Sequence, residues 1–82
     1  MPLQHPSFLL LGRPGCDLCE EFEADLRAHF AGQPFELHHA DVDSSPAWRT
    51  RYGRRIPVLL DADGGELVCE TVFDAGAVAW HF

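Results

Sequence analysis

The segment SFLLLGRPGC, Ser7 to Cys16, constrains this chain more than any other. A short, continuous apolar run is halted by Gly12 and Pro14, and directly afterwards the apolar residues change period. Leu18, Phe22, Leu26 and Phe30 fall at every fourth position until Gly32 and Pro34 interrupt them. An unbroken apolar run bounded by turn residues reads as a strand covered on both faces. The four-residue spacing over Cys16–Ala31 is one apolar helix stripe, ended by a Gly and a Pro. Asp17, Glu20, Glu21, Glu23 and Asp25 crowd its first turns, where the positive end of the helix dipole favours acids. A doubly covered strand feeding straight into a helix begins a right-handed crossover between parallel strands.

The remainder supplies the other layers. PFELHHADVD, from Pro34, alternates through Phe35 and Leu37 as a half-buried strand does. Ser44 or Ser45 can cap a second helix with Pro46 in its first turn, ending at Gly53. IPVLLDA, Ile56 to Ala62, is a strand with proline at its start. Asp63 to Gly65 turns it into a hairpin with ELVCETV, Glu66 to Val72. Asp74 can cap a last helix, AGAVAWHF, running to Phe82. The order β-α-β-α-β-β-α predicts an α/β fold: one domain over residues 1–82, with a four-stranded mixed sheet and helices on both faces. A chain of 82 residues buries only somewhat over ~60% of its unfolded surface. With 46% hydrophobic residues it can still build one core without a metal or several disulfides as staples.

Cys16 and Cys19 are the candidate catalytic residues. Cys16 falls at the start of the first helix, just past the strand and a Pro-Gly turn. Free amide groups and the helix dipole stabilise a thiolate there, so Cys16 is expected to ionise below the ordinary ~8.5. Arg13 adds positive charge nearby, while Asp17, Glu20 and Glu21 oppose it. Cys19 lies nearly one turn along the same face, within reach of a disulfide. Cys16, the more exposed, would attack, and Cys19 would resolve the mixed disulfide. Two other readings stand beside this one: a pair of structural cysteines, and half of a zinc site. A structural zinc site wants four ligands, yet no second CxxC or spaced His pair occurs. His38 and His39 are adjacent in a strand, point to opposite faces, and read as surface residues. Cys69 reads as a small half-buried apolar residue, and Trp48, Tyr52 and Trp80 as packing residues.

With RPGCDLC, the element order and IPV opening the third strand, the whole chain resembles the thioredoxin superfamily. Within it, the chain is similar to the small glutaredoxin-like proteins, through RPGCDLC and YGRRIPVL. The resemblance implies a thiol-disulfide oxidoreductase with Cys16 as nucleophile and Cys19 as resolving thiol. It also implies a cis bond between Ile56 and Pro57 facing the thiols, where the neighbouring backbone pairs with an extended thiol substrate. The sequence has departures as well. Asp17 and Leu18 stand between the cysteines, where thioredoxins have Gly-Pro and many glutaredoxins Pro-Tyr. TVFDA keeps Asp74 but lacks the Gly-Gly and second Asp that help grip glutathione. Arg13, the backbone at Ile56 and Pro57, and Asp74 are the expected substrate or glutathione contacts.

Partners follow from charge and from the resemblance. Thirteen acids against six arginines, with no lysine, give −7 and argue against nucleic acid or an anionic membrane. Arg49, Arg51, Arg54 and Arg55 gather four of the six arginines just before Pro57. They read either as an anion site suited to carboxylates or as a solvated face pairing with the excess acids. No apolar run nears the ~20 residues of a membrane span, and MPLQHPSF lacks the regions of a signal peptide. A cytoplasmic monomer is expected, with no bound metal or organic cofactor. Glutathione as co-substrate, or a reductase, would supply electrons, and thiols or disulfides of proteins or glutathione would be substrates. A non-catalytic module of the same fold, holding metal or a partner chain through its cysteines, is the alternative.

Overall fold

A computed structural model describes residues 5–82; the first four residues of MPLQHPSF lie outside the described part. Four strands, β1 (Ser7–Gly12), β2 (Glu36–Asp41), β3 (Val58–Asp61) and β4 (Leu67–Glu70), are connected by helices. These are α1 (Asp17–His29), α2 (Pro46–Tyr52) and α3 (Ala75–Ala79), with a 3-10 turn at Val42–Ser44. The sheet order is β2-β1-β3-β4. β1 pairs parallel with β2 and antiparallel with β3, which pairs antiparallel with β4. The architecture is the mixed α/β sandwich the element order predicts.

β1 is central and so must be covered twice. Its alternate side chains enter different cores. Phe8 and Leu10 pack with Phe22, Leu26 and Phe30 of the α1 segment, with Leu59 and Cys69, and with Val78 of α3. Leu11 joins Val58, Leu60, Val42 and Tyr52, with Trp48 and Ile56 against them, under α2. Each fully buried Leu or Phe contributes roughly 1.5–3 kcal/mol by leaving water. These two cores carry most of the fold.

Several boundaries differ from the sequence reading, each for a local reason. Cys16 caps α1 instead of opening it, and Phe30 caps its other end. The apolar stripe starts at Phe22, because Leu18 is 57% exposed. The chain leaves β1 at Gly12 and enters α1 through Arg13–Cys16, so the first turn of α1 lies past the end of β1. β2 stops at Asp41, whose side chain accepts the Asp43 N–H at 2.8 Å and turns the chain to bury Val42. Ser45 caps α2 by accepting the Trp48 N–H, with Pro46 as its first residue. β3 begins at Val58, so Ile56 and Pro57 precede it. The hairpin loop spans 62–66, longer than a tight turn, with the Asp61 side chain taking the Asp63 N–H at 3.0 Å.

The C-terminus is the largest correction. α3 ends at Ala79, and Trp80, expected to pack, caps it at 89% exposed. Beyond it Phe82 folds back to stack on Phe30 with ring centroids 4.7 Å apart. Trp48 and Tyr52 do pack as expected.

Candidate functional site

The chain crosses from β1 to α1 through Arg13–Cys16, closed by a Cys16 N–H to Arg13 carbonyl bond of 3.2 Å. Gly15 holds φ +76°, which only glycine adopts without cost. Cys16 then caps the helix: its Sγ accepts the Cys19 amide N–H at 3.1 Å, and its carbonyl accepts that of Glu20. Cys16 and Cys19 are joined as a disulfide with Cα atoms 5.2 Å apart. Both are half-buried, so exposure does not rank them as the sequence reading expected. What distinguishes them is the cap, since only Cys16 presents its sulfur to a free amide of the first turn. A Cβ on Gly12 would lie 3.0 Å from Cys19 Sγ, so glycine there clears the room for that sulfur.

Arg13 is engaged within the protein. Its guanidinium donates to Asp43 twice, at 2.8 and 3.1 Å, and to the Gly53 carbonyl at 2.7 Å. This fork ties the cysteine loop to the turn after β2 and to the end of α2. The hydrogen bond from Arg13 holds the Asp43 carboxyl below the ordinary aspartate range, against a smaller opposing effect of desolvation. Neither Asp43 nor Gly53 stood out in the sequence. A DxD following a strand could have signalled the first; the second depends on how α2 lies against the loop.

Pro57 is held from the other side. The Ile56–Pro57 bond is cis and Pro57 is buried. Thr71 donates its N–H to the Pro57 carbonyl at 2.7 Å and its hydroxyl to the Arg55 carbonyl at 3.0 Å. Between them Ile56 makes no backbone hydrogen bond among the described residues. Thr71 does this with φ 69°, a conformation costing on the order of 1–3 kcal/mol for a non-glycine residue. Nothing in the sequence around Thr71 signals that backbone. Asp74 accepts the Ala77 N–H at 3.1 Å as the cap of α3.

The remaining candidates disperse. Arg49, Arg51, Arg54 and Arg55 are all exposed. Arg51 lies over the Tyr52 ring, and Arg55 approaches Glu70 at 3.7 Å. Cys69 is free and buried in the α1-side core, and burial raises its thiol above the ordinary value. His38 and His39 are exposed, as expected of surface strand residues. His39 meets Glu23 at 2.7 Å. Burial works to raise the Glu23 carboxyl, but hydrogen bonds with Arg27 and His39 prevail and hold it low.

A cavity of about 390 Å³ lies beside the disulfide, lined by both cysteines, Gly12 and Leu10, with Glu23 and His39 at its side. Among the described residues no group of three or more His, Cys, Asp or Glu is placed to hold a metal ion. No helix among them is long and apolar enough to cross a membrane.

Residues 7–79 match the glutaredoxin-like domain (DUF836). Among solved structures, that of protein Ne2328 from Nitrosomonas europaea is 27% identical, with TM-score 0.87 over 100% of this chain and 96% of that one. Protein XcR50 from X. campestris is 30% identical, with TM-score 0.63 over 89% of this chain and 92% of that one. A malarial protein, 12% identical over 96% and 99% of the two chains, has TM-score 0.58 and shares the fold alone. No curated protein matches the sequence.

Proposed function

We propose that this chain, which belongs to the glutaredoxin-like domain family, is a thiol-disulfide oxidoreductase working through Cys16 and Cys19. The observation that carries this reading is the Cys19 amide aimed at Cys16 Sγ from 3.1 Å at the start of α1. In the reduced protein that donor and the helix dipole favour the Cys16 thiolate, the form that attacks. The Cys16 thiolate displaces one sulfur of a substrate disulfide and forms a mixed disulfide, and the departing thiolate takes a proton. Cys19 then attacks the Cys16 sulfur, expels the second thiol and leaves the pair oxidised by two electrons. A thiol such as glutathione, or a reductase, returns those electrons. The N–H and carbonyl of Ile56, without a hydrogen bond among the described residues and beside the buried Pro57, suit an extended thiol substrate. Glutathione enters as a weakly held co-substrate, because Arg13 and Asp74 already serve partners within the protein. A reducing cytoplasm fits a cysteine pair used in this way.

Incubation with reduced and oxidised glutathione, followed by intact mass, tests the reading. The wild-type protein should gain and lose an internal disulfide, and Cys19→Ser should trap a mixed disulfide on Cys16. Alkylation of the reduced protein near neutral pH should label Cys16 first and leave Cys69 unmodified. Preferential labelling of Cys19 or Cys69, or turnover that survives Cys16→Ser, would refute the assigned roles.

A further inference from the structure

The cavity beside the disulfide lies on the β2 side of β1, whereas Pro57 precedes β3 on the other side. Its lining combines Leu10, Gly12 and Ala40, an apolar surface for a short aliphatic chain, with the two reacting cysteines. Three carboxylates, Glu20, Glu23 and Asp41, also face it, against the guanidinium of Arg13. Arg13 is already matched by Asp43. Glu23 is shared between Arg27 and His39. Neither Glu20 nor Asp41 forms a salt bridge among the described residues. Asp41 accepts the Asp43 N–H and lies in the field of Arg13, which Asp43 already matches, so the cavity keeps a negative surplus beside the sulfurs. Asp17 and Glu21, in the same first turns of α1, add to it.

We propose that this cavity seats one half of a small cationic disulfide, an aminothiol by chemical class, and disfavours anionic thiols such as glutathione. The proposal rests on the oxidoreductase reading and names its substrate class. At about 390 Å³ the cavity is near the lower end of the ~300–1,000 Å³ of small-molecule sites, which suits a molecule of this size. The Cys16 thiolate attacks one sulfur of the aminothiol disulfide. The substrate S–S bond breaks, a Cys16 mixed disulfide forms, and the first aminothiol leaves as a thiolate that takes a proton. Cys19 attacks the Cys16 sulfur and releases the second aminothiol. The protein pair is oxidised by two electrons and the substrate reduced to two thiols. The ammonium group stays in the field of Glu20 and Asp41 throughout.

The test follows oxidation of the reduced protein by three symmetric disulfides: cystamine (dication), hydroxyethyl disulfide (neutral) and dithiodiglycolate (dianion). Each rate is divided by that for a free small thiol, which removes intrinsic reactivity. At low ionic strength cystamine should react roughly tenfold faster than the dianion, with the neutral disulfide between, as expected for steering by local charge. The spread should shrink in ~1 M salt, where screening acts within ~3 Å. Glu20→Gln combined with Asp41→Asn, which keeps the side-chain acceptor for the Asp43 N–H, should reduce the spread to about twofold. Asp63→Asn, in the β3–β4 loop, should leave it unchanged. Equal or reversed rates at low salt, or a spread untouched by the double substitution, overturn the charge preference and leave the oxidoreductase reading standing. Failure of all three disulfides to oxidise Cys16 and Cys19 overturns both.

Discussion

Phe22 and Leu26 of α1, with the capping Phe30, are buried under the sheet, while Leu18, on the same four-residue spacing, is 57% exposed. One end of the helix is core and the other is chemistry. The difference comes from what lies opposite. Past its first turn, α1 packs on Phe8, Leu10 and Leu59, whereas the first turn overhangs the end of β1, where the cysteines need access to substrate. Periodicity thus identifies the face a helix turns inward, and the extent of the sheet beneath decides how much of that face is covered.

Substitutions along this helix and its contacts should break or confirm the contrast. The largest effect is expected at the buried end, where Leu26→Ala should cost about 2–5 kcal/mol in urea unfolding of the reduced protein. Cys16 alkylation per folded molecule should stay unchanged. A loss under ~1 kcal/mol would place Leu26 outside a tight core.

Next comes the boundary between the two ends. Gly12→Ala pushes a Cβ to 3.0 Å from Cys19 Sγ, with Cys19 Cβ also close. Overpacking of this kind should cost about 1–3 kcal/mol in denaturation of the oxidised protein. Wild-type stability would mean that Cys19 has room to withdraw, and the glycine would lose its assigned purpose.

A smaller effect, with a definite sign in pH, is expected at the clamp behind the cysteine loop. The hydrogen bond from Arg13 depresses the Asp43 carboxyl in the folded protein. Its contribution is therefore present above the ordinary aspartate value of ~3.9 and is lost as pH falls through the lower folded value. The protection factors of the amides of residues 13, 15 and 16 should fall below about pH 4 in the wild type. Asp43→Asn should exchange faster at neutral pH and lose most of this acid dependence. The pair is largely exposed, so the change in global stability is expected to be small. Identical profiles for the two proteins would rule out the clamp.

The smallest effect is expected at the exposed end. Leu18→Ala should change stability by no more than ~0.5 kcal/mol in the same urea assay. A cost comparable to that of Leu26→Ala would show that the first turn is covered after all and erase the contrast.

Much of the site was legible from local chemistry. A glycine and a proline after a covered strand, followed by Cys16, announce a helix start, and Asp74 and Ser45 announce two more. Pro57 stood out through the family resemblance, and it lies just before β3. Arg13 was legible as a nearby cation but not as a clamp, because Asp43 lies thirty positions away and Gly53 forty. Thr71 was invisible: its positive φ is imposed by contacts with the segment around Pro57 and not by its own preferences. Trp80, expected to pack, is exposed while Phe82 stacks on Phe30, because that contact depends on how the chain end folds back.

By itself the sequence determined the order of elements, the doubly covered central strand and the placement of two cysteines at a helix start. These depend on spacing, caps and turn residues within a few positions of one another. Only the tertiary structure decided where α1 ceases to be covered and which groups Arg13 and Thr71 hold. It also brought β2 beside α1 to form the cavity next to the sulfurs. Those outcomes depend on groups far apart in the chain meeting at fixed distances, and local preferences carry no information about such meetings.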